Sequence, residues 1–268
     1  MLTVSNIAWC DGADPDFLCK VAEAGFDGID LAPTKVWPGW QLPGDLGGGF
    51  RANLEAFGLG VVGMQSLFFG AGPLNLFAEG KEEWRAFVSH MDTLYGIAAA
   101  TGASKLVFGA PANRDPGVMW ECAAWNLACE RLRYIGDRFS GRGVSLCLEP
   151  VPEAMNGKFL RSTKETVEFL RQVDHPGIRL NLDTAVLFHE AVDITSTVEY
   201  CGDLIAHVHA SEPALGDFSK PLVDHLAVRK ALQGAGYAGA IAIEMAAKPG
   251  YEAINLARAL DYVGAVYA

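Results

Sequence analysis

The sequence has no basic patch and carries an excess of negative charge. Its 32 acidic residues outnumber the 21 basic ones, which leaves a formal charge of −11, and no run of Lys and Arg interrupts that balance. Such a chain does not neutralise nucleic-acid phosphates in bulk, and it is not attracted to an anionic membrane surface. We therefore expect neither a nucleic-acid partner nor a membrane partner.

The cysteines lack the spacing of a redox or zinc motif. Six cysteines are scattered along the chain, and none forms a Cys-x-x-Cys pair. The sequence also starts without a basic segment followed by an apolar run, and prolines and charges interrupt each apolar stretch before it reaches the length of a membrane span. This pattern predicts reduced thiols and a cytoplasmic location.

Glycine-rich phosphate loops are missing as well. Neither Gly-x-Gly-x-x-Gly nor a Walker sequence occurs, although an open doubly wound sheet usually carries such a loop after an early strand. The glycine run Gly47–Gly49 has no strand before it and no helical register after it, so we predict a loop there. The absence favours a closed parallel barrel over the doubly wound alternative.

What is present is a repeated alternation of short apolar strands and longer amphipathic stretches. Half of the residues are hydrophobic and a fifth are charged, which is ample for a large core. The predicted strands are Thr3–Trp9, Gly28–Ala32, Val61–Ser66, Lys105–Gly109, Val144–Glu149, Ile178–Asp183, Ile205–Ala210 and Ala240–Met245. Eight such strands alternating with helices over 268 residues predict one domain, residues 1–268, with the α/β fold of a single (β/α)8 TIM barrel.

Helical periodicity fills the segments between these strands. Apolar residues at steps of three and four predict a helix over Glu82–Ala100. Ser162 followed by Glu165 is typical of a capping box and predicts the start of another helix. Two further helices are predicted over Leu226–Ala235 and Glu252–Tyr262.

The last four predicted strands each carry a metal-binding type of residue at the carboxyl end, where the active sites of such barrels lie. These residues are Glu149, Asp183, His209 and Glu244. Because strand side chains alternate, all four can point into the mouth of the barrel. Three carboxylates in a partly dry pocket oppose one another's ionisation, and a divalent cation removes that conflict. We predict one divalent metal ion; the carboxylate majority favours Mn²⁺ or Mg²⁺, and Co²⁺ or Zn²⁺ also suits these ligands.

Several stretches around these residues resemble one known superfamily. They are Leu-Glu-Pro at 148–150, Leu-Asp-Thr at 182–184, His-Val-His at 207–209, Gly-Tyr-Ala-Gly-Ala-Ile-Ala-Ile-Glu at 236–244 and Ala-Gly-Phe-Asp-Gly-Ile-Asp-Leu at 24–31. Together they resemble the xylose isomerase-like barrels, and within them the sugar (phosphate) isomerase/epimerase group that includes the ketose 3-epimerases. The resemblance spans essentially the whole chain. It implies a metal-dependent isomerase or epimerase that acts on a small-molecule sugar or sugar derivative.

The resemblance also implies a role for each ligand. In this group one glutamate removes the proton next to the substrate carbonyl, giving an enediolate held on the metal, and a second glutamate returns a proton from the opposite face. Glu149 and Glu244 stand at these two positions, so they are the predicted catalytic residues. Asp183 and His209 are then mainly metal ligands. His207, two residues before His209, is predicted to make a supporting hydrogen bond.

Some positions depart from the ketose 3-epimerases. Val186 stands where those enzymes usually carry a His, residues 210–219 contain no Arg, and Met155 lies near the place of an expected acidic residue. The alternative is a dehydratase or lyase that acts on a keto-inositol or 3-keto-glycoside with the same metal site, where a leaving group on the β-carbon of the substrate decides the outcome. An apurinic endonuclease would need more His and Glu ligands and a basic face, and a non-catalytic sugar-binding module is a third alternative.

Further polar and aromatic residues near the predicted strand ends are candidates for binding the substrate. They are Trp9, Lys35, Gln65, Asn113, His189 and Lys248. For some of them a simpler explanation competes, namely core packing for Trp9 and a solvated side chain for Lys35. The apolar composition also permits a homodimer.

Overall fold

A computed structural model describes residues 1–45, 48–139 and 141–268 of the chain. Parallel strands form a closed barrel in sequence order, and the first strand also pairs with the last. The strands are β1 Leu2–Ser5, β2 Gly28–Leu31, β3 Gly60–Met64, β4 Lys105–Phe108, β5 Ser145–Leu148, β6 Ile178–Asp183, β7 Ile205–Ser211 and β8 Ile241–Glu244. The predicted single (β/α)8 barrel is confirmed, and every predicted strand overlaps an observed one.

Helices follow the strands and cover the outside of the barrel. The α-helices in the described residues are α1 Pro15–Glu23, α2 Pro33–Val36, α3 Gly48–Ala56, α4 Lys81–Thr101, α5 Glu121–Phe139, α6 Thr163–Val173, α7 Thr184–Glu190, α8 Ile194–Cys201, α9 His225–Gly234 and α10 Glu252–Tyr267. Short 3₁₀ segments lie at Asn6–Ala8, Pro38–Trp40, Pro111–Arg114, Glu153–Met155, Gly202–Leu204 and Pro213–Leu215. Within the described ranges, none of the helices combines the length and the apolar character needed to cross a membrane.

Helix α4 illustrates how the sequence pattern produces these elements. Its buried residues include Phe87, Met91 and Leu94, which lie three and four residues apart and so share one face of the helix. Burying each such side chain stabilises the fold by roughly 1.5–3 kcal/mol. The helix ends where Gly102 takes a φ of 91°, a left-handed conformation that glycine adopts without strain.

Helix α6 begins with the predicted capping residues. Ser162 Oγ accepts a hydrogen bond from the Glu165 amide at 3.1 Å, and Glu165 Oε2 accepts one from the Arg161 amide at 2.8 Å. We expect Ser162→Ala to lower the free energy of unfolding by about 1 kcal/mol, because it leaves an amide of the first turn without its side-chain acceptor. Urea unfolding measures this change. Ser89→Ala, at an exposed position inside α4, is the matched control and is expected to be neutral or slightly stabilising; an equal loss in both variants would contradict the assignment.

The first strand is shorter than predicted. It ends at Ser5 and does not continue to Trp9, because Ser5 Oγ accepts from the Ile7 amide at 3.3 Å and begins the 3₁₀ turn Asn6–Ala8. A local side-chain bond of this kind competes with the strand ladder.

The glycine run differs from its prediction in part. Gly48 and Gly49 begin helix α3 and do not lie in a loop, while Gly47 lies outside the described residues. The helix buries Phe50 and Leu54, and this burial outweighs the low helix propensity of the two glycines.

The strands have an apolar outer face and a polar inner face. Outward-facing Val4, Leu180 and Val208 are fully buried beneath the helices. The inner face carries Thr3, Ser5, Asp30, Asn181 and His207, all fully buried. Polar groups inside a protein must bond to one another, so the barrel interior is a hydrogen-bonded layer on which the residues of the mouth rest.

Candidate metal centre

The four predicted ligands lie together at the carboxyl ends of β5, β6, β7 and β8. Glu149, Asp183, His209 and Glu244 each offer one ligating atom, and these atoms all lie within 4.8 Å of one another. His209 Nδ1 is 3.3 Å from Glu149 Oε1 and 3.4 Å from Glu244 Oε2. Three carboxylates and one imidazole at this spacing can hold one divalent cation.

The strand register staggers these residues along the barrel axis. Asp183 pairs with His209 across β6 and β7, as expected from the sequence. Glu244 pairs with Ser211, two residues beyond His209, so it does not lie level with the imidazole. Strands of a closed barrel tilt and shift against one another, and this shear offsets residues that end their strands at similar places in the sequence. The long glutamate side chain spans the offset.

Glu149 is held by its neighbours on both sides. Asn181 Nδ2 donates to Glu149 Oε1 at 2.9 Å, and the buried guanidinium of Arg114 donates to the Glu149 backbone carbonyl. On the other side lies Gly109, where an added Cβ would overlap with Glu149 Oε2. Any residue other than glycine at this position would displace the carboxylate.

Asp183 has two structural bonds in addition to its place in the centre. Its Oδ1 accepts from the Val186 amide at 2.8 Å and so caps helix α7, and its Oδ2 accepts from Ser211 Oγ at 2.7 Å. Burial raises the pKa of Asp183 to about 7, and the nearby charges of Glu149 and Glu244 add to the effect. A cation in the centre would relieve both unfavourable contributions.

His209 is a buried imidazole among carboxylates. Burial lowers its pKa, but the carboxylates of Glu244, Asp30 and Glu149 outweigh this effect and raise the pKa well above its ordinary value. Neither ring nitrogen makes a well-aligned hydrogen bond within the described part of the chain. A buried polar atom without a partner costs free energy, and a cation at Nδ1 would satisfy it. The residues present therefore fit a divalent metal ion.

The four side chains differ in exposure. Glu149 and Glu244 are 17% and 16% exposed, whereas the His209 side chain is 1% exposed and Asp183 is 6% exposed. The two glutamates thus face the solvent side of the centre, and the other two residues lie deeper.

A buried carboxylate lies beneath the centre. Asp30 Oδ2 is 2.5 Å from His207 Nε2 and 3.7 Å from His209 Nε2, and Asp30 Oδ1 accepts from Thr3 Oγ1 at 3.1 Å. Burial favours the neutral acid, but the two histidines reverse this and hold the pKa of Asp30 well below its usual range. Asp30, His207 and His209 also lie close enough to share a cation, yet the short contact of Asp30 with His207 leaves no room for an ion between them.

The sequence predicts a supporting hydrogen bond for His207, and the structure shows one with Asp30. No role was predicted for Asp30. The signal that was available is an acidic residue within an otherwise apolar strand, at Asp30 in Gly-Ile-Asp-Leu. Such a residue needs a buried partner, and that partner is 177 positions away in the sequence.

Two cavities open onto the centre, and both have Glu149 and Glu244 in their walls. The first cavity measures about 340 Å³ and is lined also by Gln65, Phe68, Phe69, Gly109, Asn113 and His209. The second cavity measures about 320 Å³, adjoins Asp183, and lies towards the loops that follow β5, β6 and β7.

Gln65 and Asn113, two of the six predicted substrate-binding residues, line the first cavity. Gln65 Nε2 donates to Ser5 Oγ, and its buried Oε1 has no partner among the described residues. Asn113 Nδ2 donates to the Leu74 carbonyl at 2.6 Å. An unpartnered amide oxygen beside the centre is an acceptor for a ligand hydroxyl.

Trp9 and Lys35 line neither cavity in the part of the chain that the structure describes. Trp9 is fully buried and stacks on Phe17, with 5.6 Å between the ring centroids. Lys35 Nζ donates to the Cys10 carbonyl at 3.0 Å. Their roles in substrate binding stay predictions that this placement does not support.

His189 and Lys248 are likewise not among the described residues that line the two cavities. His189 is exposed in the last turn of α7, and the Lys248 ammonium lies 4.9 Å from the centre of the Tyr251 ring. Their substrate roles also stay predictions.

A buried relay fixes the loop after β7. Glu212 Oε1 lies 2.9 Å from His225 Nε2, and His225 Nδ1 lies 2.9 Å from the Tyr267 hydroxyl on α10. Glu212 Oε2 accepts from the Leu222 amide at 2.8 Å. Because Glu212 follows Ser211, which bonds to Asp183, the relay holds a segment that adjoins the centre.

The raised pKa values of Asp183 and His209 make the stability of the metal-free protein depend on pH. Asp183 titrates near pH 7 when folded, and an unfolded Asp near about 3.9, so the folded state holds an additional proton in between. Stability therefore falls as pH rises through this window, by at most about 1.4 kcal/mol per pH unit for one group. The pKa of His209 is also raised, so this group too makes stability fall as pH rises above about pH 6.5. The pKa of Asp30 is lowered, so this group makes stability rise with pH, but only below about pH 4.

We expect thermal scans of the chelator-treated protein to show a lower Tm at about pH 8 than at about pH 5. Asp183→Asn removes the first of these groups and should flatten the dependence. A metal-free wild type whose Tm is flat or rises over this range would contradict the expectation.

A closed (β/α)8 barrel with carboxylates and an imidazole at the carboxyl ends of its strands defines the class of this molecule. Residues 18–262 match the family described as xylose isomerase-like TIM barrel, and the chain belongs to that family. This is an enzyme superfamily, so the chain is an enzyme by family membership.

Three individual proteins are similar to the chain. It is 26% identical over 120 residues to the D-psicose 3-epimerase of Ruminiclostridium cellulolyticum, a match that covers 45% of this chain and only 41% of that protein. It is 23% identical over 231 residues to the L-ribulose 3-epimerase of Mesorhizobium japonicum, over 85% of this chain and 73% of the relative. The solved structure of 3-keto-D-glucoside 4-epimerase from E. coli shares its fold, with a TM-score of 0.77, 15% identity and 98% coverage of both chains.

Proposed function

We propose that the chain is a divalent-metal-dependent isomerase or epimerase that moves a proton next to the carbonyl of a sugar or sugar derivative. The observation that carries the proposal is the pair of partly exposed carboxylates, Glu149 and Glu244, which lie 3.3 Å and 3.4 Å from His209 Nδ1, a buried atom without an aligned hydrogen bond among the residues that the structure describes. The names of the similar proteins, which are epimerases of ketoses and of a keto-glucoside, support the same reaction class.

Asp183 and His209 are proposed as the anchoring ligands, because they are the deeper pair and Asp183 is further fixed by Val186 and Ser211. A divalent cation held by the four residues would polarise the substrate carbonyl and acidify the neighbouring carbon. The three carboxylates favour Mn²⁺ or Mg²⁺ for this role.

Glu149 and Glu244 are proposed as ligands that also transfer protons. Both border the first and the second cavity, so a substrate carbon between them would present one face to each carboxylate. Asn181 occupies Glu149 Oε1, which leaves Oε2, beside Gly109, as the oxygen that takes the proton. Glu244 would then deliver a proton to the opposite face of the enediolate.

The second candidate function is a dehydratase or lyase on a keto-inositol or 3-keto-glycoside. It would use the same glutamates for the first proton, and a leaving group on the next carbon would turn the reaction into an elimination. The observation that favours it is the wall of the second cavity, where Val186 and Leu215 offer no group to grip the polar end of a free ketose.

Proton exchange in D2O tests the proposal and separates the two candidates. Metal-loaded protein is incubated with ketoses, keto-inositols and 3-keto-glycosides, and NMR follows deuterium at the carbon next to the carbonyl. Deuterium in a recovered sugar or its epimer supports the isomerase or epimerase, and an unsaturated product supports the lyase. No deuterium in any compound, with metal bound, would contradict both.

A further inference from the structure

The second cavity differs in chemistry from the first. Its apolar lining includes Val151, Ala185 and Val186, which are buried, and Met155 and Leu215, which are more exposed and which we call its rim. The first cavity, in contrast, contains the Gln65 and Asn113 amides.

The polar side chains of the second cavity already have partners. Ser211 Oγ donates to Asp183, and Asp183 Oδ1 accepts from the Val186 amide. The Glu212 carboxylate is occupied by His225 and the Leu222 amide. Apart from the two proton-transferring glutamates, these side chains leave a sugar hydroxyl little to bond with. A hydroxyl placed here would give up its bonds to water without full compensation.

The backbone of the rim is held in an uncommon conformation. Ala214 and Leu215 have φ values of 57° and 54°, a left-handed region that residues with side chains rarely adopt. The Ala246 amide donates to the Leu215 carbonyl at 3.0 Å and fixes this turn. Uncommon backbone angles that the surrounding structure enforces concentrate at ligand-binding sites.

The second cavity is also larger than a hydroxymethyl group requires. An apolar cavity of about 150 Å³ is sufficient to take up benzene, and this one measures about 320 Å³. The space therefore suits a ring or a short hydrocarbon chain attached to the reacting sugar.

We propose that the second cavity is a subsite for an apolar substituent, so that the substrate is a keto-glycoside with an apolar aglycone and not a free sugar. The sugar ring lies in the first cavity, with Gln65 Oε1 as a hydroxyl acceptor and Phe68 and Phe69 beside it. The reacting carbon lies between Glu149 and Glu244, which border both cavities, and the aglycone attached to the ring extends from there into the second cavity. The sugar part of this inference rests on the proposed function.

The test compares methyl and phenyl β-D-glucoside, which lack a carbonyl and are not turned over. Calorimetry measures the affinity of each for manganese-loaded protein. We expect the phenyl compound to bind about tenfold more tightly, because its ring is buried against apolar walls. In Val186→Thr and Met155→Ser this preference should fall towards one. Ile254→Ser, at an exposed apolar position on α10, is the control and should keep it.

Equal affinity for the two glucosides in wild type, no binding of the phenyl compound, or an undiminished preference in both cavity variants would overturn the inference. The outcome is distinct from the test of the reaction. Tighter binding of the phenyl compound, without deuterium exchange in any keto compound, would support the apolar subsite and contradict the proposed reaction. Deuterium exchange in free ketoses without a preference for the phenyl compound would support the proposed reaction and contradict the apolar subsite.

Discussion

Replacing Glu244 with Gln is expected to separate proton exchange from epimerisation. If the two glutamates act on opposite faces, Glu149 still removes and returns the proton on its own side. The epimer whose proton faces Glu149 then keeps acquiring deuterium, while inversion falls by about 10²–10⁴-fold, the usual contribution of a general acid or base. Glu149→Gln is expected to give the mirror result, with exchange retained only in the other epimer. NMR in D2O, with each epimer as starting material, measures both rates.

Glu153→Gln is the matched control, since Glu153 is exposed and lies four residues after Glu149. It should keep both rates. The metal content of each variant is measured in parallel, because Glu149 and Glu244 are also proposed ligands. If both variants retain full exchange and inversion, the acid–base assignment is wrong. If both lose exchange in both epimers with metal still bound, the division into two faces is wrong.

Asp183→Asn is expected to abolish metal binding without loss of the helix cap. Asn caps a helix as well as Asp does, so the Val186 amide keeps its acceptor, whereas the variant removes one charge from beside Glu149 and Glu244. The metal-free variant should be at least as stable as the metal-free wild type. A metal at a hundred times its Kd stabilises the wild type by about 2.7 kcal/mol, or about 5–10 °C in Tm, and the variant should show none of this gain.

Asp193→Asn provides the control for this substitution. Asp193 caps helix α8 in the same way, with the Ser196 amide 2.8 Å from its Oδ1, but it is exposed and distant in sequence from the four ligands. It should bind metal as the wild type does. Metal at wild-type stoichiometry in an Asp183→Ala, His209→Ala double variant would contradict the metal centre altogether.

The positions of the strands were predictable because the signal is local. Each strand is a short apolar run between turns, and the ends of β5 to β8 carry the ligand types directly after the run. The same locality explains why Glu149, Asp183, His209 and Glu244 could be chosen together: parallel strands bring their carboxyl ends to one edge.

The relative height of the ligands was not predictable in the same way. Glu244 lies level with Ser211 because of the shear of the closed barrel. Shear is a property of all the strands together, so the sequence of one strand does not predict it. The Asp30 contact with His207 is hidden for the same reason, since it crosses the barrel interior.

Local contacts explain why two of the predicted substrate-binding residues, Trp9 and Lys35, are not among the described residues that line the two cavities. Trp9 was expected at a strand end, but the turn begun by Ser5 directs the chain so that the indole packs on Phe17. Lys35 is engaged by the Cys10 carbonyl. In contrast, Gln65 directly follows β3 and Asn113 lies in the 3₁₀ segment after β4, and both line the first cavity.

The relay of Glu212, His225 and Tyr267 has a consequence for anyone who grafts loops between barrels of this family. Its members sit on the loop after β7, on α9 and on α10, and each satisfies the next in the interior. Replacing the loop with one that lacks Glu212 would leave a buried ring nitrogen of His225 without a hydrogen-bond partner, at a cost of about 1–3 kcal/mol. The hydrogen bond between His225 and Tyr267 would then be weakened, because the imidazole would no longer be held in place. The three residues should therefore be transferred together to another barrel, or all three left unchanged.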